Sequence, residues 1–73
     1  LVGVQPKEVF ARNVRAERER QKLSQEALAD RTDGLSLAQI SRLEHAVYDP
    51  QLLTIARVAR ALKVAAGDLL RGL

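Results

Sequence analysis

The sequence predicts an all-α fold, a compact bundle of five short helices in one small domain. Three observations predict it. Apolar residues recur at helical spacing in successive runs, and no stretch shows the two-residue alternation of a strand. The segment from Ser24 to Glu44 holds two amphipathic runs, each preceded by a serine that can cap a helix and joined across a glycine. The chain has 73 residues, no cysteine and one histidine, so neither disulfides nor a structural zinc site staples it and helix packing must supply the stability.

Residues 1–5 read as a flexible arm without periodicity, and residues 6–73 as the folded domain. Pro6 suits a first helical position, where its missing N–H costs nothing. The first helix is predicted over 6 to about 21, apolar at Val9, Phe10 and Val14. Its charge-dense end, Arg15 to Lys22, reads as a solvated face with ion pairs such as Arg15–Glu19. Leu23 then drops back into the core. The second helix, 25–32, is capped by Ser24, has Glu26 in its first turn and buries Ala27 and Leu28. Gly34, within Thr32-Asp33-Gly34-Leu35, supplies the backbone freedom of a tight corner. The third helix, 37–46, opens on a capping box of Ser36 and Gln39 and buries Ile40 and Leu43. Asp49 and Pro50 read as N-cap and first residue of the fourth helix, 50–62, with Leu52, Ile55, Val58, Ala59 and Leu62 on one face. A short fifth helix, 66–70, carries Leu69 and Leu70.

The net charge of +3 and pI near 10.0 lean towards an anionic partner such as nucleic acid, although nine acidic residues dilute the field. No apolar run is long enough to span a membrane, and the start is too short for a signal peptide. The lack of cysteine fits a cytoplasmic protein. The first residue is not Met, so the sequence reads as trimmed from a longer chain. Nothing marks an enzyme: there is no cysteine, no glycine-rich phosphate loop, no GxSxG turn and no paired histidine. No cofactor, metal or small-molecule substrate is expected.

Two short capped helices joined by a glycine corner form a helix-turn-helix, whose second helix can enter a DNA major groove. With Ile40 and Leu43 inward, Ala38, Ser41, Arg42 and His45 point outward or sideways. Arg42 reads either as a surface arginine or as a bidentate reader of guanine, and Leu37 or Ala38 can touch a thymine methyl. Leu37 reads equally well as a helix-start residue packed on the domain. His45 and Tyr48 can approach phosphates; their plainer readings are an exposed histidine and a residue packed on the fourth helix.

Gln25-x-x-Leu28-Ala29, Gly34-Leu35-Ser36, Ile40-Ser41-Arg42-Leu43-Glu44, Pro50 and Ala59-x-x-Leu62 together resemble the Cro/CI-type (Xre-type) helix-turn-helix domain. This is the lambda-repressor-like DNA-binding domain of phage repressors, many bacterial regulators, restriction–modification controllers and some antitoxins. The resemblance spans about residues 10–70, and its specificity lies in the ordered series rather than in any one motif. It implies that helix three is the recognition helix. It implies base contacts at Leu37, Ala38, Ser41 and Arg42, and backbone contacts at Gln25 and Ser36, with Gln25 also bracing the recognition helix. It implies an ion pair between Arg18 and Glu44.

The sequence departs from the family pattern in four places. The corner is one residue longer than the commonest form. Ala46 stands where a glycine is frequent, so the third helix is expected to run later or the loop to take another path. Glu17 stands where an apolar residue is common. Leu37 and Ala38 replace polar readers. The expected function is sequence-specific binding of double-stranded DNA by a bacterial or phage-type transcription regulator, working as a homodimer joined through Val64, Leu69, Leu70 and Leu73. The alternative is a protein-interaction module, an antitoxin or coregulator part with the same fold.

Overall fold

Four α-helices and a terminal 3₁₀ helix follow one another, with no strand, among the described residues, 4–73, of this computed structural model. They are α1 (Pro6–Arg20), α2 (Gln25–Arg31), α3 (Leu37–Glu44), α4 (Leu52–Leu62) and the 3₁₀ helix Ala66–Leu70. Residues 1–3 of the expected arm lie outside the described part. Gln5 is already the N-cap of α1, and its N–H donates to the Glu8 carboxylate at 2.9 Å. Every helix sends its apolar stripe into one core. Phe10 and Val14, Leu28, Ile40, Val58 and Leu62, and Leu69 are each at most 1% exposed.

The local chemistry of the α2–α3 corner follows the sequence closely. Ser24 accepts from the Ala27 N–H at 2.9 Å. Ser36 Oγ accepts from Gln39 N–H at 3.1 Å while Gln39 Oε1 accepts from Ser36 N–H at 2.8 Å, a complete capping box. Gly34 sits at φ +104°, and the Thr32 hydroxyl stitches the corner by donating to the Ala29 carbonyl at 2.7 Å. In α2 it is Leu28 and Ala29 that are buried, whereas Ala27 is half-buried.

α4 begins later than Asp49 and Pro50 suggest. Gln51 is its N-cap, and its first i→i−4 bond runs from Ile55 N–H to the Gln51 carbonyl at 3.0 Å. Pro50 stays outside the helix and, half-buried, lines a groove with Pro6, Ile55 and Leu70. Leu52 therefore lies in the first turn, beyond the edge of the core, and is 82% exposed. The last element tightens to 3₁₀ form because five residues including Gly67 cannot support an α-helix of their own.

The homodimer surface expected from Val64, Leu69, Leu70 and Leu73 is not free. Leu69 is 1% exposed within the core, and Val64 and Leu70 pack against it. These residues close the domain from below, leaving Leu73 as the exposed member.

Three helices end in the same way. After α1, α3 and α4 the N–H of Leu23, Val47 and Val64 returns to the carbonyl of Arg18, Arg42 and Ala59 at 3.0–3.1 Å. The residue before each, Lys22, Ala46 or Lys63, is left-handed at φ +58°, +55° and +59°. This is the Schellman arrangement, which satisfies helix-end carbonyls and is normally built on glycine. Ala46 thus takes the left-handed path itself, and α3 stops at Glu44 instead of running on. A left-handed L-residue costs about 1–2 kcal/mol, and glycine's extra freedom when unfolded returns roughly 0.5–1 kcal/mol of that. Ala46→Gly is therefore expected to raise stability by about 0.5–1 kcal/mol in urea unfolding. Gly34→Ala should lower it by at least about 0.5–1 kcal/mol, backbone strain less the same offset, since an added Cβ there meets nothing closer than Arg57 Nη1 at 3.7 Å.

Candidate nucleic-acid interface

An eight-residue helix cannot hold its own orientation, so what fixes α3 decides what it presents. Ile40, Leu43 and Glu44 face inward. The Glu44 side chain is fully buried and gathers groups from two other helices. Arg18 of α1 grips it with two bonds, Nε to Oε2 at 2.6 Å and Nη2 to Oε1 at 3.0 Å. The remaining arm of that guanidinium, Nη1, donates to the Leu23 carbonyl at 2.7 Å. Gln25, the first residue of α2, donates its amide to Glu44 Oε1 at 3.1 Å. Arg15 Nε stands 3.5 Å from the same oxygen, with its side chain 46% exposed. No buried side-chain nitrogen or oxygen among the described residues lacks a partner.

The electrostatics follow from this arrangement. Burial on its own would raise the Glu44 carboxyl. The hydrogen bonds from Arg18 and Gln25, with the charges of Arg18 and Arg15, outweigh it and hold the group below its ordinary value of 4.5. Arg18 is raised in turn, chiefly by its hydrogen bond to Glu44.

The opposite face of α3 is open. Ala38, Arg42 and His45 form an exposed stripe at i, i+4 and i+7, flanked by Leu37 at 45% exposure and by half-buried Ser41. Gln39 is engaged in the capping box. His45 Nδ1 lies 2.7 Å from the Ser41 carbonyl, so the ring folds back on the last turn of α3. Ser36 stands exposed at the helix start and Tyr48, 36% exposed, beyond its end. The structure thus collects Leu37, Ala38, Ser41, Arg42 and His45 on one helix, with Gln25 bound to that helix's last residue.

Other placements could not be read from the sequence. Arg12, Arg15 and Lys22 carry no mark of which face they share with α3. Arg12 and Arg15 line a cleft of about 470 Å³ against Glu44, His45 and Ala46, whereas Lys22 caps the far end of α1. Arg15 therefore turns to Glu44, and the expected Arg15–Glu19 pair does not form among the described residues. Glu17 is not a gap in the packing. It pairs with Arg20 and accepts from Gln21 Nε2 at 2.8 Å, and Gln21 also donates to the Leu62 carbonyl at 2.7 Å. Among the described residues, no three His, Cys, Asp or Glu side chains gather as a metal site, and no helix is long and apolar enough to cross a membrane.

Removing one partner of a buried pair strands the other, at about 3–5 kcal/mol. Arg18→Met and Glu44→Met should each cost that much in urea unfolding. The double variant should lose clearly less than the sum. Glu44 is depressed in the folded state, so its contribution is complete above pH 4.5 and is lost as the pH falls through the folded value. Glu44→Gln should accordingly show a shallower fall in stability below pH 4.5 than the parent. Some slope should persist from Glu17, lowered by its bonds from Arg20 and Gln21.

Comparison with known proteins places the geometry in a family. No curated protein matches the chain. Among solved structures, a hypothetical transcription factor, NHTF, from Neisseria is 36% identical with a TM-score of 0.85, over 90% of this chain and 75% of that one. The restriction–modification controller protein C.AhdI from Aeromonas hydrophila is 28% identical with a TM-score of 0.79, over 86% and 90%. The clp gene regulator ClgR from C. glutamicum, 22% identical over 92% and 86% with a TM-score of 0.85, shares the fold. The helix-turn-helix family model covers residues 14–69, from the middle of α1 through the core leucine of the 3₁₀ helix, and the chain belongs to that helix-turn-helix family.

Proposed function

We propose that this chain is a DNA-binding transcription regulator that reads double-stranded DNA by placing α3 in the major groove. The observation that carries the reading is the exposed Ala38–Arg42–His45 stripe on a helix whose opposite face is locked to α1 and α2 through Glu44. A rigidly held helix with small side chains can bring its backbone close to base edges. In this reading Leu37, Ala38, Ser41 and Arg42 meet bases, with Arg42 bidentate to a guanine and Leu37 or Ala38 against a thymine methyl. Gln25, Ser36, His45 and Tyr48 meet the sugar–phosphate backbone and set register. His45 turns Nδ1 towards the Ser41 carbonyl, which leaves Nε2 as the ring atom that meets a phosphate. A single short helix reads a few base pairs. Two copies about a two-fold axis would read a near-palindrome with half-site centres about 34–36 Å apart.

The alternative, a protein-interaction module, draws on the exposed apolar residues that follow α3. It leaves the exposed Arg42 and the bracing of α3 without a task.

In vitro selection from random duplexes should yield a preferred site. On that site Arg42→Ala should lose roughly 1–3 kcal/mol of discrimination while keeping its affinity for shuffled DNA. Gln25→Ala should weaken both alike and leave the salt dependence nearly unchanged, because a neutral amide displaces no counterion. Failure to select any sequence, with no salt-dependent shift on mixed DNA, would refute the reading.

A further inference from the structure

We infer that the cleft between the α2–α3 corner and α4 is a docking surface for an acidic segment of a partner protein, one that sets a leucine-sized apolar side chain between carboxylates. Arg31, Asp33, Leu53, Ala56, Arg57 and Arg60 line it, around a space of about 210 Å³. That is below the roughly 300–1,000 Å³ of small-molecule pockets and suits a side chain of a larger partner. No residue of α3 takes part, so the cleft is separate from the stripe proposed to read DNA.

Leu53, Ala56, Arg57 and Arg60 stand at i, i+3, i+4 and i+7 of α4 and form one stripe, while Val58, Ala59 and Leu62 are buried. Leu53 is 57% exposed. Arg57 is half-buried beside Gly34, and its like-charged neighbour Arg60 lies one turn on. Like charges at this spacing repel. Elsewhere the chain pairs its arginines: Arg15 and Arg18 with Glu44, Arg20 with Glu17, Arg71 with Asp68. Among the described residues no ion pair engages Arg31, Arg57 or Arg60, and Asp33, in the same cleft, pairs with none of them. Helix dipoles account for Arg31 and Arg60 in the last turns of α2 and α4, but not for Arg57 or for the open Leu53.

Carboxylates fit three guanidinium forks, and arginine is enriched and lysine depleted at protein interfaces. Asp33 decides between a peptide and a DNA backbone. The sugar–phosphate backbone of DNA offers acceptors only, so it meets Asp33 with unrelieved repulsion and leaves Leu53 uncovered. A peptide brings N–H donors for Asp33 and an apolar side chain for Leu53. The inference goes beyond the DNA-binding reading and does not depend on it.

The test uses the synthetic peptide Glu-Glu-Leu-Glu-Glu, capped at both ends, titrated into the isotope-labelled chain and followed by amide and arginine Nε–H NMR signals. Saturable shifts centred on Arg31, Leu53, Arg57 and Arg60 are expected, with a dissociation constant of roughly 0.1–1 mM. Arg31→Gln/Arg60→Gln, both exposed positions, should keep the amide spectrum and bind the peptide about five- to ten-fold more weakly. Glycine in place of the peptide's leucine should cost about five-fold, and glutamines in place of its glutamates should abolish the shifts. Shifts spread evenly over Lys22, Arg42 and the other cations, no saturation, or equal binding of the glycine peptide would overturn the proposal. A second measurement, the salt dependence of binding to a mixed-sequence duplex, tests the DNA backbone as occupant. Loss of two phosphate contacts lowers the slope of log affinity against log salt by about 1.8. An unchanged slope in the double variant is expected, and a fall of that size would make the arginines phosphate contacts and overturn the proposal. A chain that bound no duplex would refute the DNA reading, and the peptide titration alone would decide the cleft.

Discussion

The buried carboxylate of Glu44 is the constraint on which the rest of this structure depends. Apolar packing through Ile40 and Leu43 brings α3 into the core but is non-directional and tolerates rotation about the helix axis. A carboxylate gripped by both arms of Arg18 and by the Gln25 amide does not. The fork geometry fixes distance and angle together. The cost is the desolvation of two charges, which a buried pair seldom recovers as net stability. What the pair secures is register: the last residue of α3 is fixed to the first of α2 and to α1, so the outward stripe has one orientation.

That rigidity would be wasted if the helix ends were loose, and the chain closes them tightly. Schellman returns end α1, α3 and α4, each through a non-glycine left-handed residue. At two of them the residue is lysine. A cation beside a helix C-terminus interacts favourably with the dipole, which offsets part of the backbone strain at Lys22 and Lys63. Ala46 has no such compensation. Its strain sits directly behind the exposed stripe of α3, where a tight reversal leads the chain from α3 into the exposed 47–53 stretch.

Features set by near neighbours in the chain were legible in the sequence. The Ser36–Gln39 box, the Gly34 corner and the inward Ile40 and Leu43 each follow from residues within a few positions of one another. Features set by where a neighbouring element stops were not. The helical stripe of α4 includes Leu52 by periodicity, yet the core ends a turn short of it. Val64, Leu69 and Leu70 looked like surplus apolar surface because a count of apolar residues does not show which of them close the bundle. Arg15 lies within reach of Glu19 along its own helix, and the fold supplies a buried carboxylate from another. In the candidate site, the spacing shows which α3 residues point outward. That Gln25 braces α3, a contact between residues nineteen apart, comes from the family resemblance and not from spacing.

The charge distribution bears on how such a domain would discriminate. A net charge of +3 spread over twelve cations and nine acids gives a modest field. Glu26 and Asp30 are exposed on α2, the helix that crosses the DNA backbone in the docking geometry of this motif, and Asp33 is exposed at the corner. These carboxylates oppose indiscriminate phosphate contact, which supplies nearly all non-specific affinity. On the proposed reading, favourable contacts would then fall to a few directed groups: the Arg42 guanidinium, the Gln25 amide and the helix-start groups around Ser36. Weak bulk attraction with a few directed contacts lowers affinity for every sequence but lowers it most for the wrong ones. A domain built this way gains more from a second copy than from added charge, because pairing multiplies directed contacts and further lysines would restore the non-specific term.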